Sequence, residues 1–368
     1  MKKVVFYCQH LLGIGHVTRS LSIVNELARD FAVTYVQGGP EVPLKPVPAV
    51  RLLQLAPLLM REHDSSLYDP AEKESVADIF AARATALSQL AQEKFDAVVI
   101  ELFPFGRKKF GPEVLAFIAA LKETNPSVLV ITSVRDILVE KSDSSTRNQK
   151  IVNLVKEHFH AVWVHADSRL IRFGDTFPLE SEIAEKIVYT GFVAEPPRAA
   201  SGVRSKKILL SLGGGSVGEE LYRAAALVVP LFPEFEFQFV LGPYTDPNLA
   251  KELNGLGDLV QVSGLLTNFE EVLSTSALSI SMAGYNTVMN LLNTKTPALV
   301  LAYGANHEQN MRARLLEQRD YLKVIAPEDL VPARLEAMIR ERLNADYPKE
   351  APDLGGSRRA REWLLGAL

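Results

Sequence analysis

Cysteine is nearly absent from this 368-residue chain; Cys8 alone is present, which excludes an internal disulfide and a cysteine-built metal cluster. That usage fits a reducing compartment. Long hydrophobic runs are also missing, so no segment reads as a membrane span. The apolar stretch after Lys2 and Lys3 stops at Gln9 and His10, too short for a secretory leader, and reads as the first strand of a cytoplasmic protein. An excess of positive charge is lacking too: the formal net charge is -4, which argues against a nucleic-acid partner for the protein as a whole. With 47% hydrophobic and 23% charged residues, the chain has the composition of a globular protein. Its length exceeds what one core usually supports, so two domains are expected.

Short apolar runs alternate with helical patterns, the signature of βαβ units around a parallel sheet. In the first half, strands are predicted at 3–8, 32–36, 96–100, 128–132, 161–164 and 187–189, with Leu21, Val24, Leu27 and Ala28 marking a helix face. Residues 194–206, rich in proline, small and charged residues, read as a linker. A second α/β series begins at Ile208, with strands near 235–241, 259–262, 278–281 and 297–302. The expected domains are 1–195 and 206–345, followed by a C-terminal amphipathic helix over 346–368 whose packing partner the sequence does not indicate. Both domains read as doubly wound and Rossmann-like, with ligands expected at the carboxyl ends of the strands, in a cleft between the two walls.

Each half opens with strand, glycine turn, helix. In the second, Ser211-Leu212-Gly213-Gly214-Gly215-Ser216 has the character of a phosphate cradle, because glycines let the backbone close on an anion and helix-start N–H groups point at it. Three polar clusters follow at later strand ends: Ser281 to Thr287 around Gly284, Gly304 to Asn310 with His307, Glu308 and Gln309, and Val262 to Leu266 with Gly264 and Leu265, which could offer backbone to a flat base. Taken singly each suits an ordinary loop or cap; their recurrence points to a bound nucleotide. Gly213, Gly215 and Gly218 also match Gly-x-Gly-x-x-Gly, but the acidic residue that a dinucleotide ribose requires is missing from the end of the next strand, which runs into Leu241-Gly242-Pro243-Tyr244.

The first turn differs. Gly13-Ile14-Gly15 leads to His16, and Glu101 ends the apolar run 97–100. Both fall at the carboxyl edge of one sheet, where a carboxylate can fix an imidazole's tautomer and leave the other nitrogen to take a proton from a hydroxyl. The simpler alternatives are a helix-start histidine bonded to backbone, and a surface glutamate paired with Arg107 or Lys108.

Taken together, Gly13 to His16, Glu101 to Gly106, the Gly-Gly-Gly-Ser turn, Ser281 to Asn290 and His307-Glu308-Gln309 resemble the motifs of two-domain GT-B glycosyltransferases, nearest to the MurG-like transferases and the predicted glycosyltransferases related to them. The resemblance implies two Rossmann-like domains facing across a cleft. It implies a nucleotide-sugar donor, UDP-linked, on the C-terminal domain: Gly213, Gly214, Gly215 and Ser216 with Ser281, Gly284, Tyr285, Asn286 and Thr287 at the diphosphate, Gly264 and Leu265 at the base, Asn290 at the ribose, and His307, Glu308 and Gln309 at the sugar. It implies a small-molecule or lipid-linked acceptor on the N-terminal domain, near Gly13, Gly15, Thr18 and Arg135, with His16, oriented by Glu101, as the catalytic base.

Two departures from the pattern stand out. Asn290 occupies a position where many relatives have a ribose-binding glutamate, and an amide lacks the charge-assisted acceptor strength of a carboxylate. Glu101 stands where natural-product transferases usually have aspartate. No Asp-x-Asp occurs in the chain, so transfer is expected to be metal-independent and inverting, with helix N-termini balancing the diphosphate and no resident cofactor. Arg107-Lys108-Lys109-Phe110 and Leu58-Leu59-Met60-Arg61 suggest a peripheral contact with an anionic membrane. The rival readings are a nucleotide-sugar hydrolase or epimerase of the same fold, and a non-catalytic nucleotide-sugar-binding subunit.

Overall fold

The computed structural model describes residues 1–11, 15–61, 63–138, 144–194, 204–212, 218–242, 245–302, 304 and 306–368. The chain divides into two compact units, Met1–Val193 with Asp353–Leu368, and Ala194–Pro352.

The first unit holds β1 (Lys3–Cys8), β2 (Ala32–Gln37), β3 (Arg51–Gln54), a small hairpin of β4 (Leu59–Met60) and β5 (Leu67–Tyr68), β6 (Ala97–Glu101), β7 (Leu129–Arg135), β8 (Ala161–His165) and β9 (Ile187–Tyr189). Its helices are α1 (Gly15–Leu27), α2 (Val76–Ala91), α3 (Gly111–Thr124) and α4 (Ser144–His158). Seven strands pair in the order β3-β2-β1-β6-β7-β8-β9, and every pairing is parallel. Strands β1, β6 and β8 are nearly continuous apolar runs because helices cover both faces. Order reverses between β1 and β6, which are neighbours with Val4 opposite Ala97. Such a reversal leaves a crevice at the carboxyl ends of the two strands.

The second unit repeats the scheme with β10 (Ser205–Ser211), β11 (Glu236–Val240), β12 (Val260–Ser263), β13 (Ser276–Met282), β14 (Ala298–Leu301) and β15 (Lys323–Ile325), and helices α5 (Glu219–Val228), α6 (Pro247–Asn254), α7 (Phe269–Thr275), α8 (Tyr285–Thr294), α9 (His307–Glu317) and α10 (Pro332–Leu343). The six strands run in the order β12-β11-β10-β13-β14-β15, again parallel, with the reversal between β10 and β13. Its core joins Ile208 and Leu210 of β10 to Leu221, Tyr222 and Ala225 of α5 and to Phe237 and Phe239 of β11. Gly218, which precedes α5, has φ +102, and a Cβ there would lie 2.7 Å from the Met282 sulfur, so the position admits glycine alone.

Strands β3 and β15 and the hairpin lie beyond the strands expected from the apolar pattern. Each is short, two to four residues, and half-exposed, so the pattern is weak. The C-terminal helix, α11 (Gly356–Ala367), packs on α1 within the first unit. Ala360 and Leu364 enter the core with Phe6, Val24 and Leu27, and Trp363 meets the fully buried Trp163 edge to face at 5.7 Å. The segment leading into α11 is clipped to residues 191–193: Phe192 donates its N–H to the Asp353 carbonyl at 2.7 Å, and Gly356 donates to the Phe192 carbonyl at 2.9 Å. The first unit is therefore discontinuous in sequence. Truncating Leu364 to alanine should lower its stability by about 2–5 kcal/mol, as for other fully buried leucines. Both tryptophans of the chain are in this unit, so urea unfolding followed by tryptophan fluorescence reads it directly; an unchanged midpoint would count against a core role for α11.

Candidate active site

In the first unit, β1 and β6 end side by side at the reversal of strand order, and both expected catalytic residues are there. Glu101 is the last residue of β6, and His16 is the second residue of α1. The chain turns sharply after Glu101: Leu102 has φ +67 and donates its N–H to the Ser133 carbonyl at 2.9 Å, while Phe103 and Phe105 are buried. This anchored turn fixes the carboxylate at the sheet edge.

His16 Nδ1 lies 2.7 Å from Glu101 Oε1. A carboxylate only accepts, so Nδ1 carries the proton and Nε2 is left with a lone pair. Arg19 donates from Nη2 to the same oxygen. Glu101 is 1% exposed and Arg19 3% exposed, so the glutamate is no surface residue, and its guanidinium partner comes from α1 rather than from Arg107 or Lys108. Burying ions costs several kcal/mol each unless they are paired, and here both are. Burial opposes ionisation of Glu101, yet His16, Arg19 and Arg107 together outweigh it and hold the carboxyl below its ordinary range, at about 2. Burial is also the largest influence on His16, and with Arg107 and Arg19 it outweighs the attraction of Glu101, lowering the imidazole to about 4. At neutral pH the pair is therefore a carboxylate and a neutral imidazole, the form a general base requires.

A second buried network holds the surrounding loops. Arg83 of α2, fully buried, donates to the carbonyls of Gly38 (2.7 Å) and Ala56 (2.9 Å), to Gln9 Oε1 (2.7 Å) and to both oxygens of Glu113 (2.8 Å each). Gln9 in turn donates to the carbonyls of His10 (2.9 Å) and Leu58 (3.2 Å). The backbone that leaves β1 toward His16 is thereby tied to the loops after β2 and β3. Beneath the pair, buried His165 bonds Ser133 and Thr190, each at 2.7 Å. Neither Arg19 nor Arg83 was singled out from sequence. Arg19 had one available signal, its spacing of three from His16 on a helix, which puts both on one face; Arg83 had none.

Of the expected acceptor residues, Gly15 and Thr18 lie in the first turn of α1 and Arg135 ends β7, all half-buried. Gly13 lies outside the described residues, as do Gly213, Gly214, Gly215, Ser216 and most of the linker. The entrance to that second turn is nevertheless fixed. Tyr222 of α5 accepts the Leu212 N–H at 3.2 Å and donates to the Val240 carbonyl at the end of β11. Beside it, Ser281 is near the end of β13, with its hydroxyl buried and lacking a hydrogen-bond partner among the described residues. Gly284 precedes α8, whose first turn is Tyr285, Asn286 and Thr287, with Asn290 half-buried further along the same helix. Gly264 and Leu265 follow β12 and are exposed. Asn306 caps α9 by accepting the Gln309 N–H at 3.1 Å, which sets His307, Glu308 and Gln309 in its first turn. Glu308 is buried, with Oε1 2.5 Å from Nη2 of buried Arg312, whose guanidinium lies 4.9 Å from the Tyr285 ring centre. Glu308 is thus a tethered group that ties α9 to α8.

The surface expected to meet a membrane needs correction. Leu58 and Phe110 are fully buried, Phe110 against Phe80, so only the half-buried Leu59 and Met60 remain of its apolar share. No helix among the described residues is long and apolar enough to cross a membrane.

Solved structures that superpose on this chain include sugar transferases. CalG4, the calicheamicin glycosyltransferase, superposes with a TM-score of 0.63 at 16% identity, over 99% of this chain and 98% of its own. The glycotransferase of kitacinnamycin gives 0.67 at 17% over 100% and 99%, and MurG of Acinetobacter baumannii gives 0.59 at 16% over 99% of each chain. The fold is the GT-B fold of glycosyltransferases, made of two Rossmann-like domains. Residues 209–354 match the glycosyltransferase family 28 C-terminal domain. Among curated proteins, the UDP-N-acetylglucosamine--N-acetylmuramyl-(pentapeptide) pyrophosphoryl-undecaprenol N-acetylglucosamine transferase of Geobacillus kaustophilus is 29% identical over 201 residues, 50% of this chain and 55% of that protein. An uncharacterized glycosyltransferase of Methanosarcina mazei is 24% identical over 190 residues, 49% of each. The chain spans about half the length of the curated relatives it matches. Its second unit thus matches a family 28 C-terminal domain over residues 209–354, and the chain as a whole has the GT-B fold and is similar to MurG-like glycosyltransferases.

The lowered imidazoles have a consequence for stability. His10 and His16 fall to about 4 and His165 to about 3, each chiefly through burial, against an ordinary value near 6.5. Between those values the unfolded chain binds more protons than the folded one, so stability is fully present above about pH 6.5 and is lost as pH falls toward 4. Melting temperature should decline across that window. In His16→Gln the decline should be shallower, one proton fewer being taken up on unfolding; an identical slope would mean that His16 is not held neutral by the fold.

Proposed function

We propose that this protein transfers a glycosyl group from a nucleotide-sugar, UDP-linked, to an acceptor hydroxyl, with inversion and without a metal ion or resident cofactor. The observation that carries the reading is the His16–Glu101 pair at the strand-order reversal of the first unit: a neutral imidazole with its tautomer fixed by a buried carboxylate. The family 28 match of the second unit and the UDP-sugar transferase named among the relatives support a UDP-sugar as donor.

In the proposed step, His16 Nε2 takes the acceptor hydroxyl's proton as that oxygen attacks the anomeric carbon. The bond to the diphosphate breaks, its electron pair leaves with the diphosphate, and the configuration at carbon inverts. Glu101 stabilises the imidazolium that forms, without taking the proton itself. The first turn of α8 offers N–H groups and a helix dipole, worth about half a unit charge, to the departing anion. Asn290 offers the ribose a neutral acceptor, so binding is expected to depend mainly on the diphosphate. A hydroxyl on a small molecule or on a lipid-linked glycan suits the same base, and a lipid-linked acceptor would place the protein at the cytoplasmic face of a membrane.

Two measurements test this. Thermal shift with nucleoside diphosphates, UDP-sugars, NAD and NADP should show stabilisation by UDP and its sugars; stabilisation by the dinucleotides alone would overturn the transferase reading. With a responding donor in hand, His16→Gln should reduce kcat by about 10² to 10⁴ while leaving the donor Kd unchanged. Equal losses of both would make His16 a structural residue.

A further inference from the structure

His16 and Arg19 stand three residues apart on α1, one turn of the helix, and converge on a single atom, Oε1 of Glu101. That convergence poses a charge question which a histidine–carboxylate pair alone leaves unanswered. A buried carboxylate whose only partner is an imidazole favours the imidazolium, because one proton neutralises the pair in a medium that penalises net charge. Such a pair has a raised affinity for a proton, and once protonated it cannot accept another from a substrate. A guanidinium on the same oxygen alters the balance: carboxylate and guanidinium already sum to zero, and a proton on His16 would leave one uncompensated positive charge in a buried site.

We propose that Arg19 is the positioning residue that keeps the His16–Glu101 pair unprotonated and ready to accept the acceptor's proton, by supplying the buried carboxylate with a permanent counter-charge. The inference rests on the reading of His16 as the base and adds the residue that sets its protonation state. Of the other groups facing the pair, Arg107 shares the charge and the rest are neutral. Arg107, which follows β6, adds positive charge and lowers His16 more than Arg19 does, but on Glu101 the order is reversed, and Arg19 is the residue that donates to Oε1. His10, after β1, and His165, of β8, are both held neutral. Cys8 of β1 and Tyr35 of β2 are pushed up by burial and stay uncharged at neutral pH. Glu101 is the carboxylate that acts on each of these groups, and Arg19 is a cation hydrogen-bonded to it. A lysine would keep the charge, whereas glutamine or methionine would remove it.

The test is a pH titration by nitrogen-15 NMR of the imidazole nitrogens in the intact protein, which needs no substrate. Seven histidines are present, and the His16 signal is identified by its loss in His16→Gln. In the unaltered protein His16 should stay in the neutral Nδ1–H form well below its ordinary midpoint. In Arg19→Met the protonation midpoint should rise by about one pH unit or more, the effect of removing a close charge; Arg19→Lys should leave it in place. Whether the proton settles on the imidazole or on the carboxylate, the pair takes it up at higher pH. Unchanged far-UV circular dichroism and His165 signals show that a variant is folded, and Arg19→Gln replaces methionine if that variant is not. A midpoint in folded Arg19→Met or Arg19→Gln at or below that of the unaltered protein overturns the proposal, as does an Nε2–H tautomer in the unaltered protein. If the midpoint rises but His16→Gln retains turnover, the charge balance stands and the base assignment falls.

Discussion

Placing one negative charge inside the first unit constrains much of what surrounds it. Glu101 ends a strand buried on both faces, so its carboxylate cannot reach bulk water. The energetic requirement to compensate that charge explains why two donors from one helix turn are committed to one oxygen. It also explains why the loops around α1 are held so firmly: a shift in the backbone after β1 would withdraw His16 and strand the carboxylate. Arg83, with its bonds to Gly38, Ala56 and Gln9, opposes that shift. Gly38 and Gly39 pack against Gln9 and His10 closely enough that a Cβ at either would collide with them.

The two sheets share a strand order, but their carboxyl edges are furnished differently. In the first unit the reversal point carries ionisable side chains: histidine, glutamate and arginine. In the second it carries Ser211, Ser281, Gly284 and a helix start, which offer hydroxyls and N–H groups without net charge. Proton transfer requires a group whose pKa can be tuned, whereas binding a fixed anion requires donors that do not titrate. On the proposed reading, the same topology serves both needs, one in each unit.

The parallel sheets were legible in the sequence because their central strands are continuous apolar runs, such as 97–100 and 208–210, flanked by helices of clear periodicity. The edge strands were not, since β3 and β15 are half-exposed and only four and three residues long. The pairing of His16 with Glu101 was legible because one lies at a helix start after a turn and the other at a strand end, positions identifiable from the pattern alone. Arg19 and Arg83 were missed for a physical reason: their significance lies in buried partners 82 and 30 residues away, and a single sequence does not reveal which arginines are buried. Glu308 shows the converse. Its place in a polar cluster suggested an open ligand contact, and its pairing with Arg312 emerged only when the i,i+4 spacing on α9 was seen to face inward.

The packing of α11 links these points. Residues 353–368 complete the first unit, and the helix they form lies along α1, where Arg361 reaches Asp30 at 2.6 Å and Glu26 at 3.2 Å. Glu26 is on the same helix as His16 and Arg19, at its opposite end. The last residues of the chain therefore brace the helix that carries the proposed base and its counter-charge. Because α1 contributes Val17, Leu21 and Val24 to the core that Ala360 and Leu364 also enter, loss of α11 would expose one side of that helix. The position of His16 relative to Glu101 thus depends on packing against residues more than 340 positions later in sequence as well as on its own turn.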